Sequence, residues 1–412
     1  MRAAVLAAGA KALGALLEGI GVGRREEPVW CGCGSRMESR GLKDKPLMTI
    51  LGPVPYQRSM YQCPNCNSTR YPGDEELDVV GTTRSPGLRR MMARAGSQST
   101  FKESREDLKV YAGIEVSPKD VERVAEEIGQ QMEAWSGRER QQFLNQRPPL
   151  RAVETIPVLY VSYDGTGVPM TRAELVGRKG KQKDGTALTR EAKLGCVFTQ
   201  TMTNEDGFAV RDPDSTSFVG AIETSEAFGR RIYAEAVRRG LYEARQVVIL
   251  GDAAEWIRTI KEDHFPWALQ IVDLYHAREH VAELCKYIFG SDERQIARFR
   301  TRWWTRLDEG KVERIIKEAL ENLPEDPVQS KKAELEINFL GRHKDLMQYA
   351  HFRKLGLFIG SGVMEAGCKT IVGQRMKQSG MEWSLKGANA IIALRCVLKS
   401  GRFQEYWETR AG

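Results

Sequence analysis

Asp164, Asp252 and Glu365 are the residues whose types and settings could do chemistry together in this chain. Asp164 ends an apolar, β-branched run, Ile156-Pro-Val-Leu-Tyr-Val-Ser-Tyr-Asp164. Asp252 ends a second one, Val247-Val-Ile-Leu-Gly-Asp252, and Glu365 lies far downstream in Gly360-Ser-Gly-Val-Met-Glu365-Ala-Gly-Cys-Lys369. A carboxylate at the end of a buried strand is costly unless hydrogen bonds or a cation hold it. Two strand-end aspartates and a helix glutamate form an all-oxygen donor set of the kind that binds paired Mg²⁺ for phosphoryl transfer. Three close carboxylates repel one another, so such a site depends on its cations.

Taken singly, each residue has a plainer reading. Gly-Asp after a strand is commonly a turn or a helix N-cap, and a lone helical glutamate is commonly solvated. The order of the elements favours the joint reading, because strands ending at Asp164 and Asp252 emerge side by side if they pair. Around the glutamate, Lys369 lies one helical turn from Glu365, and Gln374, Arg375 and Lys377 come after it. These residues suit phosphate contacts, with a solvated basic face as the alternative. In Asp273-Leu-Tyr-His276-Ala-Arg-Glu-His280, the two histidines have a metal-ligand spacing without an obvious third ligand. Asp273 and His276 therefore read as support for the site.

A second donor set is Cys31-Gly-Cys33 with Cys63-Pro-Asn-Cys66. The second pair has zinc-knuckle spacing, while the first is tighter than the usual two-residue spacer. Four thiolates joined by a β-rich segment read as a zinc ribbon with structural Zn²⁺ and no open coordination position. The alternative is a thiol cluster without metal. The remaining cysteines, 196, 285, 368 and 396, are scattered through core-like segments. This usage excludes a secreted disulfide framework and fits a reduced compartment.

The elements that must position these residues are set by periodicity. Residues 1–27 read as an N-terminal helix or leader, 28–75 as the zinc-ribbon-like module, and 76–150 as a helical, helix-turn-helix-like DNA-binding region with a linker at Pro148-Pro149. Ser85 and Ser117, each followed by proline, open two of its helices. From Ile156 the pattern gives strands at 156–163, 193–203, 215–222, 246–250 and 268–273. Helices are expected at 225–240, 253–262 and 276–288. This order predicts an α/β domain: an antiparallel meander followed by parallel crossovers. It is the order of an RNase H-like mixed sheet. Residues 151–288 form its first part, 289–355 a helical insertion, and 356–412 the acidic helix that completes the core. Trp303 and Trp304, at helical spacing in the insertion, read as core.

The 412 residues suffice for two or three domains, and 41% apolar residues support a real core. A net charge of +7 favours a polyanionic partner. The opening Met1-Arg-Ala-Ala-Val-Leu-Ala-Ala-Gly-Ala resembles a short signal-peptide core that Lys11 interrupts; no apolar stretch is expected to be long enough to cross a bilayer, and no membrane partner is expected. The expected location is cytoplasmic, with the nucleoid.

Residues from about 28 to 400 resemble DDE transposases of the ISKra insertion-sequence group. The resemblance is carried by Val161-Ser-Tyr-Asp164-Gly-Thr-Gly-Val-Pro169, Glu226-Ala-Phe-Gly-Arg-Arg-Ile-Tyr-Ala-Glu-Ala236, Val248-Ile-Leu-Gly-Asp252-Ala-Ala-Glu-Trp256, Asp273-Leu-Tyr-His276-Ala-Arg-Glu-His280 and Ser361-Gly-Val-Met-Glu365-Ala-Gly-Cys-Lys369, running on to Gly373-Gln-Arg-Met-Lys377-Gln-Ser-Gly-Met-Glu-Trp383. It implies a catalytic triad of Asp164, Asp252 and Glu365 acting with Mg²⁺ or Mn²⁺. It implies cutting and joining of double-stranded DNA at element ends and target, without a covalent protein–DNA intermediate, by a homo-oligomer. Cys31-Gly-Cys33 departs from the expected Cys-x-x-Cys. Two alternatives stay open: a catalytically inactive DNA-binding regulator, and an RNase H-like nuclease that does not join strands.

Overall fold

The computed structural model describes all residues except 21, 147–154, 181, 183–184 and 411–412. The linker expected at Pro148-Pro149 lies outside the described residues. The chain forms two compact units, residues 1–131 with 404–412, and residues 132–403.

In the first unit, helix α1 (Arg2–Ile20) precedes strands β1 (Glu38–Thr49), β2 (Gly52–Gln62) and β3 (Thr69–Arg70). They form an antiparallel sheet in the order β1-β2-β3. Gly52, at φ +111° beside the tight turn into β2, adopts a backbone conformation that side chains disfavour. Alternation along the hairpin turns Leu47, Val54 and Tyr56 inward against Ala10 and Leu17 of α1. By length and composition α1, 19 residues with a stretch of mean hydropathy 1.5, is long and apolar enough to cross a bilayer. This corrects the expectation that no apolar stretch is long enough: Arg2, Lys11 and Glu18 are spaced far apart among small and apolar residues.

Helices α2 (Pro72–Glu76), α3 (Pro86–Gln98), α4 (Phe101–Asp107) and α5 (Pro118–Leu144) come next. Ser85 caps α3 through the Leu88 N–H, and Thr100 with Glu103 forms a reciprocal cap on α4. The Asp120 N–H donates to the Ser117 hydroxyl at the start of α5. The boundary between the units falls within α5.

The second unit is built on β4 (Ile156–Pro169), β5 (Thr189–Gln200), β8 (Ser217–Ala221), β9 (Ala244–Gly251) and β10 (Leu269–Val272). Short α6 (Arg172–Leu175) and a two-stranded ribbon, β6 (Met202–Thr203) with β7 (Ala209–Val210), lie between them in sequence. The sheet order is β10-β9-β4-β5-β8. β4, β5 and β8 are antiparallel neighbours, whereas β4, β9 and β10 run parallel. α7 (Ser225–Arg238) and α8 (Glu255–His264) provide the crossovers and cover one face. There Leu159, Val161 and Tyr163 of β4 pack with Phe228, Ile232, Ile257 and Phe265.

Strand periodicity sends the alternate residues Tyr160, Ser162 and Asp164 to the opposite face. Tyr160 stacks on Phe198 at 4.8 Å and meets Phe358 edge-on. Downstream lie α9 (Leu274–Phe289), α10 (Glu293–Asp308), α11 (Val312–Glu321), α12 (Pro327–His343) and α13 (Tyr349–Lys354). Trp303 of α10 is fully buried and donates its indole N–H to Glu318. The chain ends with α14 (Gly362–Cys368), a π turn at Lys369–Gly373, α15 (Gln374–Met376), α16 (Leu385–Lys399) and α17 (Phe403–Glu408).

Candidate active site

Asp164 does not end its strand as expected. β4 continues to Pro169 because β5 pairs with it throughout, from Val158↔Gln200 past Asp164↔Leu194 to Pro169↔Thr189. The parallel neighbour stops earlier, at Ser162↔Leu250. The sheet opens at that point, and Asp164 sits two residues beyond the last β4–β9 pair. Asp252 comes directly after the last residue of β9. Gly251 allows the close approach there, since a Cβ would lie 3.2 Å from the Tyr163 carbonyl oxygen.

The two aspartates and Glu365 of α14 line one cleft of about 140 Å³, together with Asp273, Tyr275, His276, Glu279 and Ser361. Asp164 accepts the Gly165 N–H at 2.6 Å through Oδ1. Its Oδ2 faces the Cys368 thiol at 3.8 Å. Burial lifts the Asp164 carboxyl above its ordinary range. The Gly165 N–H pulls it back, and the nearby Asp252 carboxylate adds to the lift. Burial also pushes the Cys368 thiol up to about 12, reinforced by the Asp164 charge. Asp252 accepts the Ala254 N–H at 2.9 Å. Glu365 is half exposed and pairs loosely with Lys369 at 3.7 Å.

Asp273 is buried and holds the cleft together. One carboxylate oxygen caps α9 by accepting the His276 N–H at 2.7 Å. The other accepts the Ser361 N–H just before α14. Beside it, the Leu274 N–H donates to the Ile359 carbonyl at 2.9 Å. Thus the start of α9 and the approach to α14 are tied at one point. His276 faces His280, with 3.2 Å between their Nε2 atoms.

The four residues expected to contact phosphates separate. Lys369, Gln374 and Lys377 are exposed, and Lys377 donates to Thr166 of β4 at 2.6 Å. Arg375 is a correction: it is fully buried, with its guanidinium 5.1 Å from the centre of the Trp383 ring. The π turn before it adds a residue to one turn of helix, rotating the downstream side chains by about 100° from a regular wheel. Arg395 of α16 donates to the Thr370 and Ile371 carbonyls of that turn. Sequence reading missed Cys368, Tyr275, Glu279 and Ser361. Cys368 had a signal, since it lies three residues beyond Glu365 on the same helix.

The cysteine quartet lies in the first unit. Its four sulfurs are all within 4.8 Å of one another and could hold a metal ion. Cys31–Cys66 and Cys33–Cys63 sulfur separations are 3.5 Å, close to the roughly 3.8 Å that four Zn–S bonds of about 2.3 Å span in a tetrahedron. The compressed first pair fits because Gly34, at φ +83°, closes a turn onto the Cys31 carbonyl. The Ser35 N–H lowers the Cys33 thiol to about 6, and the Ser68 hydroxyl lowers Cys66. Val29, Met37 and Tyr61 pack around Cys63.

No family model and no curated protein matches this chain. Among solved structures, the chain aligns with a Drosophila P element transposase strand transfer complex over 78% of its own length and 80% of that chain, at 9% identity and a TM-score of 0.25. A likeness of that size carries no argument about fold or chemistry.

Proposed function

We propose that this chain is a DDE transposase of the ISKra type, cleaving and joining double-stranded DNA at element ends and target. The observation that carries the reading is the convergence of Asp164, Asp252 and Glu365 on one cleft from three elements distant in sequence. The sheet order supports an RNase H-like core, with α10–α13 as an insertion between the last parallel strand and the acidic helix. The donors are carboxylates from a strand, a strand end and a helix, an all-oxygen set that suits Mg²⁺ or Mn²⁺. When bound, the ions would stabilise charge on the attacking and leaving oxygens of a phosphodiester.

The chain's own residues do the rest. Asp164, Asp252 and Glu365 hold the ions, Asp273 keeps the elements in register, and Lys369, Gln374 and Lys377 contact phosphates. The cysteine quartet holds a structural Zn²⁺ in an N-terminal module. With helices α2 to α5, this module binds the element ends, and the protein works as an oligomer at the nucleoid.

The test uses the full chain and a supercoiled plasmid carrying its coding sequence with native flanks, in Mg²⁺ or Mn²⁺. The reading expects nicks at both flanks and joined products, abolished by Asp164→Asn, Asp252→Asn or Glu365→Gln while DNA binding persists. Hydrolysed ends without joining would assign a nuclease. Salt-sensitive binding without nicking would assign a regulator.

A further inference from the structure

We propose that His276 and His280 hold a divalent transition-metal ion between their Nε2 atoms, with ligands separate from the three acids and from the cysteine quartet. The two residues lie one turn apart on the same face of α9. Their Nε2 atoms are 3.2 Å apart. Two nitrogens bound tetrahedrally to one ion at about 2.05 Å lie roughly 3.3 Å apart. The ring centroids are only 4.7 Å apart, too close for two imidazoles meeting head-on across that gap. The ring axes therefore meet at an angle, as those of two ligands on one ion do.

The outer nitrogen of each ring lies by a carboxylate. His280 Nδ1 is 2.5 Å from a Glu336 oxygen, a hydrogen bond, and His276 Nδ1 is 3.8 Å from Glu279, an ion-pair distance. A carboxylate beside Nδ1 favours a proton there and leaves Nε2 its lone pair, which is how a metal-binding histidine is oriented. Two such lone pairs facing each other need a cation between them. A metal ion displaces any proton held there, so binding does not depend on which ring carries it. Glu336 comes from α12, and Phe339 of the same helix stacks on the His280 ring with centroids 3.6 Å apart. The helical insertion thus sets the ring before an ion arrives.

Among the described residues, no further cysteine, histidine or carboxylate joins the pair within 4.8 Å. Water or an incoming oxygen ligand fills the remaining positions. Imidazole donors suit Zn²⁺, Ni²⁺ or Cu²⁺ rather than Mg²⁺. With two protein ligands the ion exchanges freely and leaves on desalting, so zinc retained through purification belongs to the cysteine quartet. His276 also lines the acid cleft, which places the ion at the cleft wall.

The test titrates the zinc-loaded full chain with NiCl₂ in excess Mg²⁺ and without DNA, followed by calorimetry and nickel K-edge absorption. The expected result is one Ni²⁺ per chain, with two imidazoles and no sulfur in its shell and with zinc retained. His276→Asn and His280→Asn should each abolish uptake, while His351→Asn should leave it unchanged. Glu336→Leu should weaken uptake about tenfold, and Glu336→Gln, which keeps an acceptor, should weaken it less. The wild-type absorption spectrum reads the ligands directly, so it decides the matter even where a variant fails to fold. No uptake, which leaves only a proton between the rings, overturns the proposal. Sulfur ligands, or uptake that persists in both histidine variants, overturn it as well. Failure of DNA cleavage would instead overturn the phosphoryl-transfer reading, because nickel uptake is measured without DNA.

Discussion

The cysteine quartet and the acid cleft are assembled in opposite ways. The quartet draws on two short turns, with a small hydrophobic cluster packed around them. The acid cleft draws on a strand middle, a strand end and a helix separated by most of the second unit. Among the described residues, only the cysteine quartet has three or more metal-ligating atoms all within 4.8 Å of one another. The three carboxylates line one cleft together without forming such a close set. Thiolates enclosing one ion leave no open position, which suits structure, whereas carboxylates around a cleft leave room for substrate.

The comparison breaks most visibly at the ribbon. Cys63→Ser or removal of zinc by a chelator should take metal content from one equivalent to near zero and abolish the ribbon's cooperative unfolding, read by metal analysis and circular dichroism. Cleft chemistry in isolated DNA nicking should suffer less from this loss than DNA binding does. Next in size, Asp164→Asn, Asp252→Asn or Glu365→Gln should lower the cleavage rate by about 10³-fold, with zinc content unchanged. A coupled loss of zinc in these variants would show that the two sites are not independent.

A smaller effect sharpens the electrostatic contrast. Asp164 is lifted by burial, so its protonated form is favoured in the folded protein. Its contribution to stability is fully present below the unfolded pKa of about 3.9 and is lost as pH rises through the higher folded value. In metal-free protein, Asp164→Asn should therefore raise Tm relative to wild type, and the difference should grow as pH rises through the carboxylate range. Mg²⁺ should raise Tm of the wild type and leave the variant nearly unmoved. Smallest, Lys377→Ala should weaken DNA binding a few-fold and reduce the salt slope by about one. Arg375→Lys should leave that slope alone and act on stability through Trp383.

The two sites were legible in the sequence to different depths, for the same reason. Ligand spacing is local, so Cys63-Pro-Asn-Cys66 could be read directly. Only the compressed Cys31-Gly-Cys33 pair needed coordinates to show how Gly34 turns it. Asp164 and Asp252 could be read from the apolar runs before them, and the strand order from their spacing. That β4 runs on past Asp164 could not, because the continuation depends on β5 pairing across a sequence-distant hairpin. Arg375 was misplaced because its charge was read as exposure, whereas tertiary packing buries it beside Trp383.

The tie at Asp273 has a further consequence. The chain leaves the sheet at Leu274 and returns at Ile359 through adjacent backbone groups, so the whole excursion is a stalked lobe closed at its neck. Closing a longer lobe at such a neck costs little more than closing a short one, because the entropy grows only with the logarithm of length. Insertions at the far end of the lobe should therefore cost little while the neck and the Tyr349 hydroxyl on the Val272 carbonyl keep its base on the sheet.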